Sequence, residues 1–170
     1  TVHGDVSYHT YVDYPYEHPF LWFSSEESSL EINGDWIPNY SELRFDGNGG
    51  HLILNGNSSL LSSLYDENYP PYSFKITNNG NLSFNLYPLY SSQGYSSGLN
   101  IAGLTLYNNG VITDSSPGFE DTGLKVSGYP MGHVVNNGTL NTKTILLEEG
   151  CHFDNYGTWN LIDPLNSEYG

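Results

Sequence analysis

Short runs in which every second residue is apolar recur throughout the chain. Examples are Val6-Tyr8-Thr10-Val12, Leu43-Phe45, Leu52-Leu54 and Ile145-Leu147. A period of two predicts β-strands with one face turned inward. Gly, Asn, Ser and Pro separate the runs, and Ala102 is the sole alanine, so the balance is against helix. The best helical pattern lies at residues 58–67 (SSLLSSLYDE), where Leu60, Leu61 and Leu64 fit an i, i+3, i+4 face. It reads as a short capping helix or, equally, as a loop.

Several of these runs meet at one repeated phrase. It occurs as FKITNNGNLSF at residues 74–84, LTLYNNGVI at 104–112 and VVNNGTL at 134–140. A looser copy is FDNYGTWNL at 153–161, and earlier relatives are LEING at 30–34 and LILNG at 52–56. The glycines fall at 34, 56, 80, 110, 138 and 157, giving intervals of 22, 24, 30, 28 and 19. Asn-Gly is a common two-residue hairpin turn, so a set of hairpins is one reading. A hairpin meander, however, turns about every 8–12 residues. Each interval here holds about three strand-sized runs, the content of one rung of a parallel β-helix. Asparagines at the corner of each rung would then stack and continue the backbone hydrogen-bond ladder. The expected turn residues are Asn78, Asn79 and Gly80; Asn108, Asn109 and Gly110; and Asn136, Asn137 and Gly138.

The predicted fold is all-β: a right-handed parallel β-helix with long loops. One domain spans residues 1–170, with first strands or a cap over about 1–29 and rungs over about 30–161. The length suffices for a real core. Nineteen acidic residues face only Arg44, Lys75, Lys125 and Lys143, for a net charge of −15. Phosphate recognition needs basic clusters that this chain lacks, which argues against nucleic acid and anionic membrane surfaces as partners. No apolar stretch approaches the roughly 18 residues of a membrane span. Beginning at Thr1, the chain reads as a mature or recombinant segment. Sequons at Asn39, Asn57, Asn81 and Asn137 point to secretion and possible glycosylation. The lone Cys151 is either a buried thiol or half of a pair whose partner lies outside this segment.

Catalytic chemistry has few footholds. His3, His9 and His18 are dispersed, while His51, His133 and His152 each adjoin a repeat phrase and would share one face of a coil. Polar residues at strand ends account for them more simply than a metal site does. The pairs Glu26-Glu27, Asp66-Glu67, Glu120-Asp121 and Glu148-Glu149 would point to opposite faces of a strand, so they make poor acid–base partners. No nucleophile elbow, phosphate loop or zinc-protease motif occurs. Aromatic loops offer a different candidate: Tyr69 and Tyr72, then Tyr87 and Tyr90, as ligand contacts. The simpler reading is that these rings cover loops and solenoid ends.

The cadence of strand, Asn-Asn-Gly corner and alternating strand resembles the N-terminal domain of fungal hyphally regulated cell-wall proteins. The segments that carry it are 74–84 (FKITNNGNLSF), 99–112 (LNIAGLTLYNNGVI) and 133–140 (HVVNNGTL). The resemblance implies a right-handed β-helix displayed on the yeast cell wall, exported by a signal peptide and followed by a stalk and a glycosylphosphatidylinositol anchor. It implies adhesion to host or abiotic surfaces, biofilm formation or wall organisation, with no enzyme activity and no cofactor. Wall polysaccharide or a host surface is the implied partner. The alternatives are a polysaccharide-active lyase or hydrolase on a β-helix and a purely structural wall spacer.

Overall fold

The computed structural model describes residues 1–3, 6–13, 16–36, 42–47, 49–60, 63–66, 74–84, 99–115, 123–127 and 131–162. Five strands open the chain: β1 (Val2–His3), β2 (Val6–Asp13), β3 (Tyr16–Phe23), β4 (Ser29–Ile32) and β5 (Glu42–Gly47). A regular cycle then begins with β6 (Gly50–Leu54), β7 (Asn57–Leu60) and β8 (Ser63–Asp66). It repeats as β9 (Phe74–Asn78), β10 (Asn81–Phe84) and β11 (Leu99–Ala102), then as β12 (Thr105–Asn108), β13 (Val111–Asp114) and β14 (Leu124–Ser127). The last circuits are β15 (His133–Asn136), β16 (Thr139–Thr142) and β17 (Ile145–Leu147), followed by β18 (His152–Asn155) and β19 (Thr158–Leu161).

The cycle visits three sheets in rotation. The first sheet runs β1-β4-β6-β9-β12-β15-β18, the second β7-β10-β13-β16-β19, and the third β2-β3-β5-β8-β11-β14-β17. Pairing is parallel except for β1 with β4 and β2 with β3. The fold is therefore all-β with parallel sheets, an arrangement compatible with a β-solenoid. The Asn-Gly phrases at 55–56, 79–80, 109–110 and 137–138 each join a first-sheet strand to a second-sheet strand, as β9 to β10, so they are not hairpin turns.

The described residues of the 58–67 segment are strand, not helix. Asn57–Leu60 and Ser63–Asp66 are strands β7 and β8, in different sheets. The local leucine spacing is overridden because β10 pairs with β7, and β5 and β11 pair with β8, giving both strands ladder partners.

Alternation sorts the side chains. In β9 the pattern runs from buried Phe74 through exposed Lys75 to buried Ile76 and Asn78. Register then stacks like positions, placing Leu52, Ile76, Leu106 and Val134 in one buried column. Phe23 meets Phe74 edge-on at 5.9 Å, and a Cβ on Gly50 would lie 2.4 Å from the Phe23 ring. Glycine at 50 is what lets that ring reach the core.

Candidate functional site

Two ladders of asparagine amides hold the corners. In the inner one, Asn78 Nδ2 donates to Asn108 Oδ1 (2.8 Å), Asn108 Nδ2 to Asn136 Oδ1 (2.7 Å), and Asn136 Nδ2 to Asn155 Oδ1 (2.7 Å). The second N–H of each donor reaches a backbone carbonyl, that of Val111, Thr139 or Thr158. Asn78, Asn108 and Asn136 are fully buried, and burial of an amide requires this degree of satisfaction. Leu54 stands below Asn78 in register, where a further asparagine would sit, and Asn78 Oδ1 has no partner.

The outer ladder runs the opposite way. Asn137 donates to Asn109 (3.1 Å), Asn109 to Asn79 (3.0 Å), Asn79 to Asn55 (2.8 Å) and Asn55 to Asn33 (2.7 Å). The following glycines also stack. A Cβ on Gly56, Gly80, Gly110, Gly138 or Gly157 would fall 2.0–2.3 Å from the carbonyl oxygen of the glycine one rung earlier. Positive φ occurs instead at Gly49, Gly103 and Gly150. The corner glycines are thus selected for close backbone approach, not for a left-handed conformation.

These ladders frame the outward face of the second sheet. One column there reads Asn57, Asn81, Val111, Thr139 and Thr158, and the next reads Ser59, Ser83, Thr113, Asn141 and Asn160. None of the ten side chains carries a charge, in a chain of net charge −15. Two further ladders cross the face: Asn81 to Asn57 to Asp35, and Asn160 to Asn141 to Thr113. A shallow trough of about 310 Å³ lies over Asn57, Ser59, Asn81, Ser83, Val111 and Thr113. The surface offers amide and hydroxyl groups at the strand spacing of about 4.8 Å. Sequence reading missed this face, because alternation alone does not say which polar residues share a column.

The histidine column is real but dispersed. His51, Lys75, Thr105, His133 and His152 follow one another in register on the first sheet. His133 Nε2 lies 2.9 Å from Asp154 Oδ2, and the His133 and His152 rings meet edge-on at 5.8 Å. His51 is two residues removed from that pair, bonds to Thr77 Oγ1 at 2.8 Å, and has its pKa lowered by burial and by Lys75. Among the described residues, no group of three or more His, Cys, Asp or Glu is placed to hold a metal ion. Lys125 Nζ lies 2.7 Å from Glu148, a largely exposed pair worth little.

Of the sequons, Asn57, Asn81 and Asn137 are exposed, yet the Nδ2 of each donates within a ladder. Cys151 is a half-buried free thiol packed against the core. Asn39, Tyr69, Tyr72, Tyr87 and Tyr90 lie outside the described residues, as do the carboxylates of Glu67, Glu120 and Asp121. No helix among the described residues is long and apolar enough to cross a membrane. Comparison with known proteins finds no family model, no curated protein and no solved structure that matches this chain.

Proposed function

We propose that this chain is a non-catalytic, secreted domain of a fungal cell-wall protein, a right-handed β-solenoid displayed outward for adhesion. The observation that carries the reading is the uncharged face of the second sheet. Ten amide, hydroxyl and methyl side chains lie in two columns set by strand register, and Asn57, Asn81, Thr113, Asn141 and Asn160 among them are tied by hydrogen bonds across rungs. Preorganised polar groups lose little entropy on contact, which favours binding to a repetitive, neutral, hydroxyl-rich surface such as wall polysaccharide. The repeat cadence supports the same assignment. Asn57 and Asn81 stand on this face, so the reading requires both to be free of glycan.

The test is attachment of the isolated domain to a glycan array and to abiotic surfaces, beside a reducing-sugar release assay. The triple variant Ser59→Asp, Ser83→Asp, Thr113→Asp places three carboxylates on the face and leaves the inner ladder intact. Its attachment should fall about tenfold or more, the equivalent of about 1.4 kcal/mol. Loss confined to a Tyr69, Tyr72, Tyr87 and Tyr90 to Ser variant would move the contact to the aromatic loops. Unchanged attachment in both variants would leave a structural spacer. Release of sugar would establish an enzyme instead.

A further inference from the structure

The outer ladder is built from the asparagines that precede glycine: Asn33, Asn55, Asn79, Asn109 and Asn137. Asn-Gly is the dipeptide most open to spontaneous deamidation, because glycine leaves its backbone nitrogen unhindered. That nitrogen attacks the asparagine Cγ, and a C–N bond forms as the Cγ–Nδ2 bond breaks. The glycine N–H proton leaves with the amide as ammonia. Water then opens the succinimide at either carbonyl, giving aspartate or isoaspartate. Five such pairs of the same sequence type occur along the ladder, but the fold does not treat them alike.

At three of them both reacting groups are held. The N–H groups of Gly80, Gly110 and Gly138 donate to the carbonyls of Leu54, Asn78 and Asn108 at 3.3, 3.0 and 2.9 Å. The Nδ2 of the preceding Asn79, Asn109 and Asn137 is bound one rung back. Asn55 is half restrained: its Nδ2 donates to Glu31 Oε1 (2.8 Å) and to Asn33 Oδ1, and a Cβ added to Gly56 would fall 2.3 Å from the Gly34 carbonyl oxygen. Asn33 and Gly34 are exposed, and among the described residues neither the Asn33 Nδ2 nor the Gly34 N–H donates a hydrogen bond. A Cβ added to Gly34 would meet nothing within 4 Å, so the turn has room to rearrange.

Ladder polarity makes the product tolerable at this one position. The donors point toward the start of the chain, so Asn33 only accepts, and a carboxylate accepts from Asn55 equally well. The adjacent ladder already ends that way, on Asp35, which accepts from Asn57 Nδ2 at 3.0 Å. A carboxylate at 79, 109 or 137 would instead lose a donor and face the Oδ1 of its neighbour. We infer that Asn33 is a site of spontaneous deamidation, at which the folded protein acquires a further negative charge between Glu31 and Asp35, while the ladder shields Asn79, Asn109 and Asn137.

The test is incubation of the folded 170-residue chain at mildly alkaline pH, with peptide mapping and isoaspartate detection, repeated in urea. In the folded protein, product at Asn33 should form about tenfold faster or more than at Asn79, Asn109 or Asn137, since two hydrogen bonds restrain each of those sites. In urea the difference should collapse. Asn48 is outside the described residues, and the Asn48-Gly49 peptide is mapped separately. Equal rates in the folded chain, or no product at Asn33, would overturn the inference. An unchanged preference for Asn33 in urea would also overturn it, because local sequence rather than the fold would then set the order. Folded Asn33→Ser protein should show no new ladder product.

Discussion

Asn78 and Asn108 are 30 residues apart in sequence, yet Nδ2 of the first lies 2.8 Å from Oδ1 of the second and both are fully buried. The contact is one link of a chain whose middle members, Asn108 and Asn136, each both donate and accept. Removing a middle member therefore orphans groups on both sides. Asn108→Ala leaves an N–H of Asn78 and the Oδ1 of Asn136 unsatisfied in the interior, at about 1–3 kcal/mol each. The expected loss is about 2–5 kcal/mol in urea unfolding. Asn155→Ala at the exposed end should cost under about 1 kcal/mol, because water can replace the lost acceptor. Equal losses would deny the ladder its cooperative role.

Asn78 Oδ1 is the unsatisfied end of the same ladder, with Leu54 where the next amide would stand. Leu54→Asn supplies the missing donor and gives up buried apolar area. Leu52→Asn loses comparable area in a column that is apolar throughout its buried members. Leu54→Asn should therefore be the less destabilising of the two by about 1–3 kcal/mol. A larger loss at Leu54 than at Leu52 would contradict the orphaned acceptor.

Gly110→Ala and Gly34→Ala make the same change in the interior and at the first position of one glycine stack. At Gly110 the new Cβ would lie 2.0 Å from the Gly80 carbonyl oxygen, and at Gly34 it meets nothing within 4 Å. Rigid backbone cannot yield by an ångström, so Gly110→Ala should cost about 3 kcal/mol or more. Gly34→Ala should stay within about 0.5 kcal/mol. Thermal melts of the two variants give the comparison, and similar melting temperatures would disprove the stacking requirement.

His51 gives a pH dependence of known sign. Burial first, and the Lys75 ammonium second, hold its folded pKa below the ordinary 6.5. As pH falls through that value the unfolded chain takes up the proton before the folded one, so stability is lost. Above it the effect vanishes. His51→Gln should flatten the decline in urea midpoint between about pH 7.5 and 5.5. Parallel declines in the two proteins would exclude this histidine as a source.

Much of this arrangement was legible from residue order. Alternation assigned strands, and the spacing of Asn-Gly phrases assigned a coil of rungs in preference to hairpins, because a strand reveals its period within a few residues. The same alternation places Asn78 inward, two residues after Ile76. Residues 58–67 show the opposite case. Their leucines fit a helix locally, and only pairing with neighbouring rungs makes Asn57–Leu60 and Ser63–Asp66 two strands. The uncharged face was likewise hidden. Its first column joins residues 57, 81, 111, 139 and 158, whose separations of 24, 30, 28 and 19 vary with the connecting segments. Residue order was enough for most strands, the corners and the repeat, since these rest on nearest-neighbour sterics and amphipathic period. Tertiary structure alone decided which residues share a column, which way each ladder points and which asparagine is left unguarded. Those properties depend on register between strands, and register is a contact between distant parts of the chain.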